Sequence, residues 1–346
     1  MIGQMIMVGF PGADEKDAGV IAVRRQLADG VIGGVVLFPD NIGSPEQLKS
    51  LIAYLRNARS TPAPFIAVDQ EGGKVQRLAR RNGHRHFPSA RSVGRNPAYA
   101  SPEAAKRLYA ELAAELAEAG FNMNLGPVVD LNLNPSNPVI GARDRSFGAD
   151  PNIVTALATA FIKAHRAANI VTVAKHFPGH GSSVADSHKA LADISETWRA
   201  VELVPYQRLA KDGLLDAVMV GHLYHPRFSD REMLPASLSA KAMRALREKS
   251  WINFGGIVIS DDMEMGAVRD DFTMDDLVTK AINAGTDLLV FSNQQSHDSE
   301  LGTHVHAAIA RAVCEGRVSR SRIEQAYGRI MLLKRRLQQK DLAGKW

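Results

Sequence analysis

Residues 170–188 read IVTVAKHFPGHGSSVADSH. The first five are β-branched or small, with one threonine and no sustained polar alternation. Strands buried on both faces of a parallel sheet read this way. Lys175 and His176 then end the run, and a small, polar, glycine-containing stretch follows. Seven further runs resemble it: QMIMVGF (4–10), GGVVLF (33–38), PFIAVD (64–69), FNMNLGPVVDL (121–131), DAVMVGHL (216–223), GIVISDD (256–262) and TDLLVFS (286–292). Amphipathic segments lie between them, among them EQLKSLIAYLRNA (46–58), EAAKRLYAELAAELAEAG (103–120) and NIVTALATAFIKAHRAA (152–168). Eight such strands with intervening helices predict an α/β fold, a closed (β/α)8 barrel of the TIM type with long active-site loops. No linker or low-complexity segment divides residues 1–346, so one catalytic domain with no separate C-terminal domain is expected. An open doubly wound sheet calls for a glycine fingerprint after its first strand, and GFPGADEK is not G-x-G-x-x-G.

Barrel chemistry sits at the C-terminal ends of the strands. The third run ends in Asp69 and leads into QEGGKVQR. The fourth reaches Asp130, the fifth Lys175 and His176, and the sixth His222. The seventh reaches Asp261 and Asp262, and the eighth Ser292 and Asn293. One aspartate after a strand is an ordinary turn or cap residue. The recurrence of polar residues at the same end of several strands points to a site.

Composition narrows the partners. With 45% hydrophobic and 23% charged residues the chain is ordinary globular protein. The net charge of +5 is dispersed and aromatic residues make up only 6%, so no nucleic-acid surface is expected. MIGQMIMVGFPG lacks the pattern of a signal peptide, and no apolar run is long enough to span a bilayer. The single cysteine, Cys314, reads as a small buried helix residue and cannot form an internal disulfide. A cytoplasmic, monomeric protein without membrane contact is the expectation.

The stretch from Lys175 to His188 holds three histidines. Their spacing matches no zinc motif, and Lys175 would oppose a cation, so no metal is expected. Nor does FPGHG form a nucleotide phosphate loop. Read as a plain loop, Gly181-Ser182-Ser183 supply freedom and few packing contacts, and residues 181–188 should be mobile. Asp186 and His188 are close enough to hydrogen-bond. A carboxylate on Nδ1 would fix the imidazole tautomer and suit it to acid–base work. In GIVISDDMEMG, one aspartate should face the reaction centre while the other caps a following helix; the apolar strand does not say which.

KHFPGHGSSVADSHKAL, preceded by VDQEGGKVQR and followed by VISDDMEMGA, resembles the bacterial β-N-acetylhexosaminidases of glycoside hydrolase family 3. The likeness runs in order from GQMIMVGF to DLLVFSN and implies a (β/α)8 barrel. It implies Asp261 as nucleophile and His188, partnered by Asp186, as acid/base. It implies Asp69, Arg77, Lys175 and His176 as sugar contacts, with an arginine before Ser-Phe. NPVIGARDRSFG carries two residues more than the family form I-G-x-R-S-F, so Arg145 precedes Ser-Phe while Arg143 stands where counting from the glycine would put it. The resemblance selects Arg145. Many family 3 glucosidases carry a second domain that can supply an acid/base glutamate; its absence here favours the hexosaminidase branch.

The implied activity is a retaining exo-β-N-acetylglucosaminidase acting on muropeptides in peptidoglycan recycling, with no cofactor. A phosphorylase using the same residues, an inactive sugar-binding barrel and a histidine-based metal hydrolase are the alternatives.

Overall fold

The computed structural model describes residues 1–99, 101–231 and 233–343. Eight parallel strands close into a barrel: β1 (Ile6–Val8), β2 (Gly34–Leu37), β3 (Phe65–Val68), β4 (Met123–Asn124), β5 (Val171–Phe177), β6 (Ala217–Val220), β7 (Ile257–Asp262) and β8 (Leu288–Phe291). Each strand pairs with its sequence neighbours, and β8 returns to β1 with Met7 opposite Val290. Every residue of β1 to β6 and β8 is buried, as the unalternating runs require.

The helices that wrap the barrel begin where side-chain caps permit. Ser44, Ser101, Asp150 and Thr273 accept hydrogen bonds from the backbone N–H groups of Gln47, Ala104, Asn152 and Asp276. Proline follows directly in the first three, where its missing N–H costs nothing. The helix Pro45–Arg56 then buries Leu48, Leu51, Ile52 and Leu55, one stripe at helical spacing. Burying each such side chain stabilises the fold by about 1.5–3 kcal/mol.

Two expected strands are shorter than their apolar runs. Residues Ile2–Met5 form a 3-10 turn before β1. β4 stops at Asn124 because Gly126 and Pro127 follow, and proline has no N–H for the ladder. The chain nevertheless continues beside β5, with Val129 N donating to the Lys175 carbonyl at 2.9 Å, so Asp130 still reaches the end of the barrel. Cys314 also departs from expectation: it is the last residue of the helix Leu301–Cys314 and is exposed. No helix among the described residues is long and apolar enough to cross a membrane.

The lower end of the barrel is held by buried charge. Asp287, just before β8, accepts hydrogen bonds from Arg247, Arg322 and Arg329 at 2.6–2.9 Å. Asp216, just before β6, accepts from Arg166 and Arg336. Lys334, from the C-terminal helix Arg320–Ala343, donates to Gln4 Oε1 and to the Gly33 carbonyl, each at 2.7 Å, and lies over the Phe65 ring.

Candidate active site

At the upper end, a cleft of about 540 Å³ is lined by Asp69, Arg77, Arg145, Lys175, His176, Asp186, His188 and Asp261. The eight residues to which the family resemblance assigns a role therefore share one cavity.

β3 and β5 supply its most buried part. After β3 the chain turns through a short hairpin, Gln70–Gly72 against Val75–Gln76, with Gly72 and Gly73 at positive φ. This hairpin brings Glu71 back over the barrel. Lys175 Nζ lies 2.7 Å from Asp69 Oδ1 and 2.8 Å from Glu71 Oε1. Arg145 grips Glu71 with two hydrogen bonds, from Nε at 2.9 Å and Nη2 at 2.8 Å. Arg77 stands 3.6 Å from Asp69. Burial alone would push both carboxyls up, but the cations beside them prevail and hold Asp69 and Glu71 below the ordinary carboxylate range. The same carboxylates raise the Lys175 ammonium against the opposing effect of burial.

GARDRSF opens with a 3-10 turn, Gly141–Arg143, closed by Asp144 at φ 58°. Arg143 is left exposed on the rim, donating to the Pro138 carbonyl. Arg145 is buried in the network. Removing one partner of a buried ion pair leaves the other charge uncompensated, at about 3–5 kcal/mol. Arg145→Ala is therefore expected to destabilise the protein by that order and to raise KM for the sugar. Arg143→Ala should stay within about 0.5 kcal/mol of the parent. Urea unfolding and steady-state kinetics on both variants check this; a strong KM increase confined to Arg143→Ala would reverse the choice of arginine.

His176 is oriented by Asp130, whose Oδ2 lies 2.7 Å from Nδ1; the far ring nitrogen, Nε2, is 3.4 Å from Arg145 Nη2. Asp130 Oδ1 also accepts the backbone N–H of His180 at 2.8 Å. His222 is fully buried, with Nδ1 2.7 Å from Ser237 Oγ and Nε2 2.9 Å from the Asp262 carbonyl. The sequence places Asp130 and His222 at strand ends without assigning them a task, and it does not single out Glu71. An acidic residue two positions after a strand-end aspartate was the available signal for Glu71.

The aspartate pair on β7 divides. Asp262 Oδ1 accepts hydrogen bonds from the N–H groups of Ser292 at 2.9 Å and Glu264 at 3.2 Å. It closes a local turn and caps no helix: the following helix, Gly266–Arg269, begins after Met265. Burial raises the Asp262 carboxyl, and the neighbouring charge of Asp261 adds to the rise. Asp261 shifts the other way. Burial opposes ionisation, but the imidazoles of His176, His222 and His188 and the Asp262 N–H together hold its carboxyl below the usual range.

His188 Nδ1 lies 2.9 Å from Asp186 Oδ1, which also accepts the His188 backbone N–H at 3.0 Å. The loop that carries this pair differs from the loosely packed one expected. Ser182, Ser183 and Ser187 are buried, while Val184 is 69% exposed. Gly181 is needed for close approach, since a Cβ there would fall 1.7 Å from the Leu131 carbonyl oxygen. Ser182 Oγ donates to Glu202 Oε1 at 2.8 Å, and Asn134 Nδ2 donates to the Ser183 carbonyl at 2.8 Å.

Glu202 is 1% exposed, and burial pushes its carboxyl up to about 7. The folded state thus holds this proton between pH about 4.5 and 7, where the unfolded chain has released it. Stability should fall as pH rises through that window, by on the order of 3 kcal/mol from this group. Glu202→Gln should flatten the decline in urea unfolding between pH about 5 and 8. An unchanged difference between wild type and variant across that range would refute the assignment.

Comparison with known proteins accords with this architecture. Residues 1–333 match the description "Glycosyl hydrolase family 3 N terminal domain". A β-hexosaminidase of Nitrosomonas eutropha is 36% identical over 81% of this chain and 79% of its own length. β-Hexosaminidase A of Pseudoalteromonas piscicida is 29% identical over 98% of this chain, which spans only 61% of that relative. A solved family 3 β-N-acetylglucosaminidase from Paenibacillus sp. superposes with a TM-score of 0.87 at 32% identity, covering 97% of this chain and 62% of that one. The chain belongs to glycosyl hydrolase family 3.

Proposed function

We propose that the chain is a retaining exo-β-N-acetylglucosaminidase in which Asp261 is the nucleophile and His188, oriented by Asp186, is the acid/base. The observation that carries this is the shared cleft: a carboxylate kept ionised at the end of β7 and a carboxylate-paired imidazole on the loop after β5. Asp261 attacks the anomeric carbon as the glycosidic C–O bond breaks, and His188 as imidazolium gives its proton to the leaving oxygen. A water then attacks the glycosyl–Asp261 ester, His188 as imidazole takes its proton, and Asp261 leaves. An imidazole, with an ordinary pKa of about 6.5, can perform both transfers near neutrality. Asp69, Arg77, Lys175, His176 and Arg145 hold the sugar, preorganised by Glu71 and Asp130. No step calls on a metal or organic cofactor.

The finer reading is a monomer with one catalytic domain in the cytoplasm, removing N-acetylglucosamine from muropeptides during peptidoglycan recycling. Its support is the resemblance of the three long motifs and the β-hexosaminidase names of the relatives. Hydrolysis of a chromogenic β-N-acetylglucosaminide against the matching β-glucoside tests the activity, with and without phosphate and chelator. Faster cleavage of the glucoside would overturn the substrate. Sugar 1-phosphate formed with phosphate would replace hydrolysis by phosphorolysis, and inhibition by chelator would bring back a metal.

A further inference from the structure

We propose that His180 is a positioning residue that sets the place of the Asp186–His188 pair through Ser187. The proposal rests on the assignment of His188 as acid/base. His180 and Ser187 are each 1% exposed, and His180 Nε2 lies 2.9 Å from Ser187 Oγ. In Asp186-Ser187-His188 the buried middle side chain is thus joined to His180 at the wall of the same cleft that Asp186 and His188 line. The His180 end of this contact cannot drift. Its backbone N–H is held by Asp130 at 2.8 Å and its carbonyl by Asn137 Nδ2 at 2.7 Å. Burial and the neighbouring His176 lower the ring to about 4, so near neutrality it is an uncharged hydrogen-bonding partner and no competing acid.

A second tether comes from the nucleophile's side. Gly266 N donates to the His188 carbonyl at 3.2 Å, and a Cβ at Gly266 would fall 2.6 Å from the Lys189 carbonyl oxygen. The turn bearing His188 is therefore fixed from the exits of both β5 and β7. Asp130 connects these roles, since one carboxylate orients the His176 ring and anchors the His180 backbone. A displacement of about 1 Å between a proton donor and its acceptor can cost about 10²-fold in rate, so loss of the Ser187 tether should act on proton transfer.

The test is kcat/KM for aryl β-N-acetylglucosaminides with a graded series of leaving groups. Ser187→Ala removes one hydroxyl and is expected to fold as the parent does, with thermal unfolding confirming it. It should slow substrates with poor leaving groups by about 10- to 100-fold and activated ones by less than about 3-fold, leaving product inhibition by N-acetylglucosamine unchanged. His180→Gln, which keeps a side chain able to hydrogen-bond Ser187, should recover part of what His180→Leu loses on poor leaving groups. Equal slowing of all substrates by Ser187→Ala, or none, overturns the proposal, as does equal damage by the two His180 variants. His188→Ala is run alongside. If it shows no dependence on leaving group, the assignment of His188 has failed; if it does and Ser187→Ala does not, only the positioning role has.

Discussion

Asp261→Ala is expected to lower kcat by about 10⁴-fold or more, because on the proposed mechanism it removes the nucleophile. The fold should survive. Its carboxylate accepts a local hydrogen bond, from the Asp262 N–H at 2.9 Å. A slow fluorinated glycoside should label the wild-type enzyme, and peptide mapping should place the adduct on Asp261. An adduct on Asp262 would sink the assignment and would require that residue to give up its bonds to Ser292 and Glu264. The depressed carboxyl of Asp261 adds a pH expectation. It stays ionised below its ordinary value of 3.8, so any loss of kcat/KM between pH about 4 and 6 belongs to another group.

His188→Ala should produce the second largest effect, and an uneven one. With poor leaving groups, the departing oxygen needs a proton in the transition state, and the loss should be about 10²- to 10⁴-fold. Aryl glycosides whose leaving oxygen is already a weak base need little protonation, and their glycosylation should slow by less than about 10-fold. Deglycosylation still needs a base to activate water, so activated substrates should show a burst followed by slow turnover. Equal slowing of both substrate types would remove His188 from the acid role. Asp186→Ala should give a smaller loss of the same kind, since the imidazole remains but its tautomer and aim are freed.

Much of the barrel was legible because its strands are buried on both faces. IVIS in β7 and LLVF in β8 carry no polar alternation, and eight such runs separated by amphipathic segments read as one closed parallel sheet. β4 was overextended because apolar content continues through VVDL although Pro127 has already broken the ladder. Strand-end residues revealed which side chains meet, but not how they pair. Asp130 and His176 are 46 residues apart, and their 2.7 Å contact depends on the register in which the chain after β4 lies beside β5. Glu71 was hidden for a related reason: its partners Arg145 and Lys175 come from two other elements. The loop at 181–188 misled in the opposite direction. Glycine and serine suggest looseness when read locally, yet here their small size lets the chain press against Leu131 and Glu202.

The pairing of β1 with β8 and the reach of Lys334 to Gln4 also set a timetable for the newly made chain. Met7 must wait for Val290, and Gln4 meets a partner 330 residues away. At ribosomal speeds of about 5–20 residues per second, the first strand spends roughly 15 to 60 s without its final neighbour. During that interval β1 can pair only with β2, and its other edge is open to any passing strand. Ring closure over so long a span is entropically slow and comes late. The nascent barrel is thus most vulnerable to misassociation just before its last strand emerges, and a chaperone that shelters the edge of β1 would act where the danger is greatest.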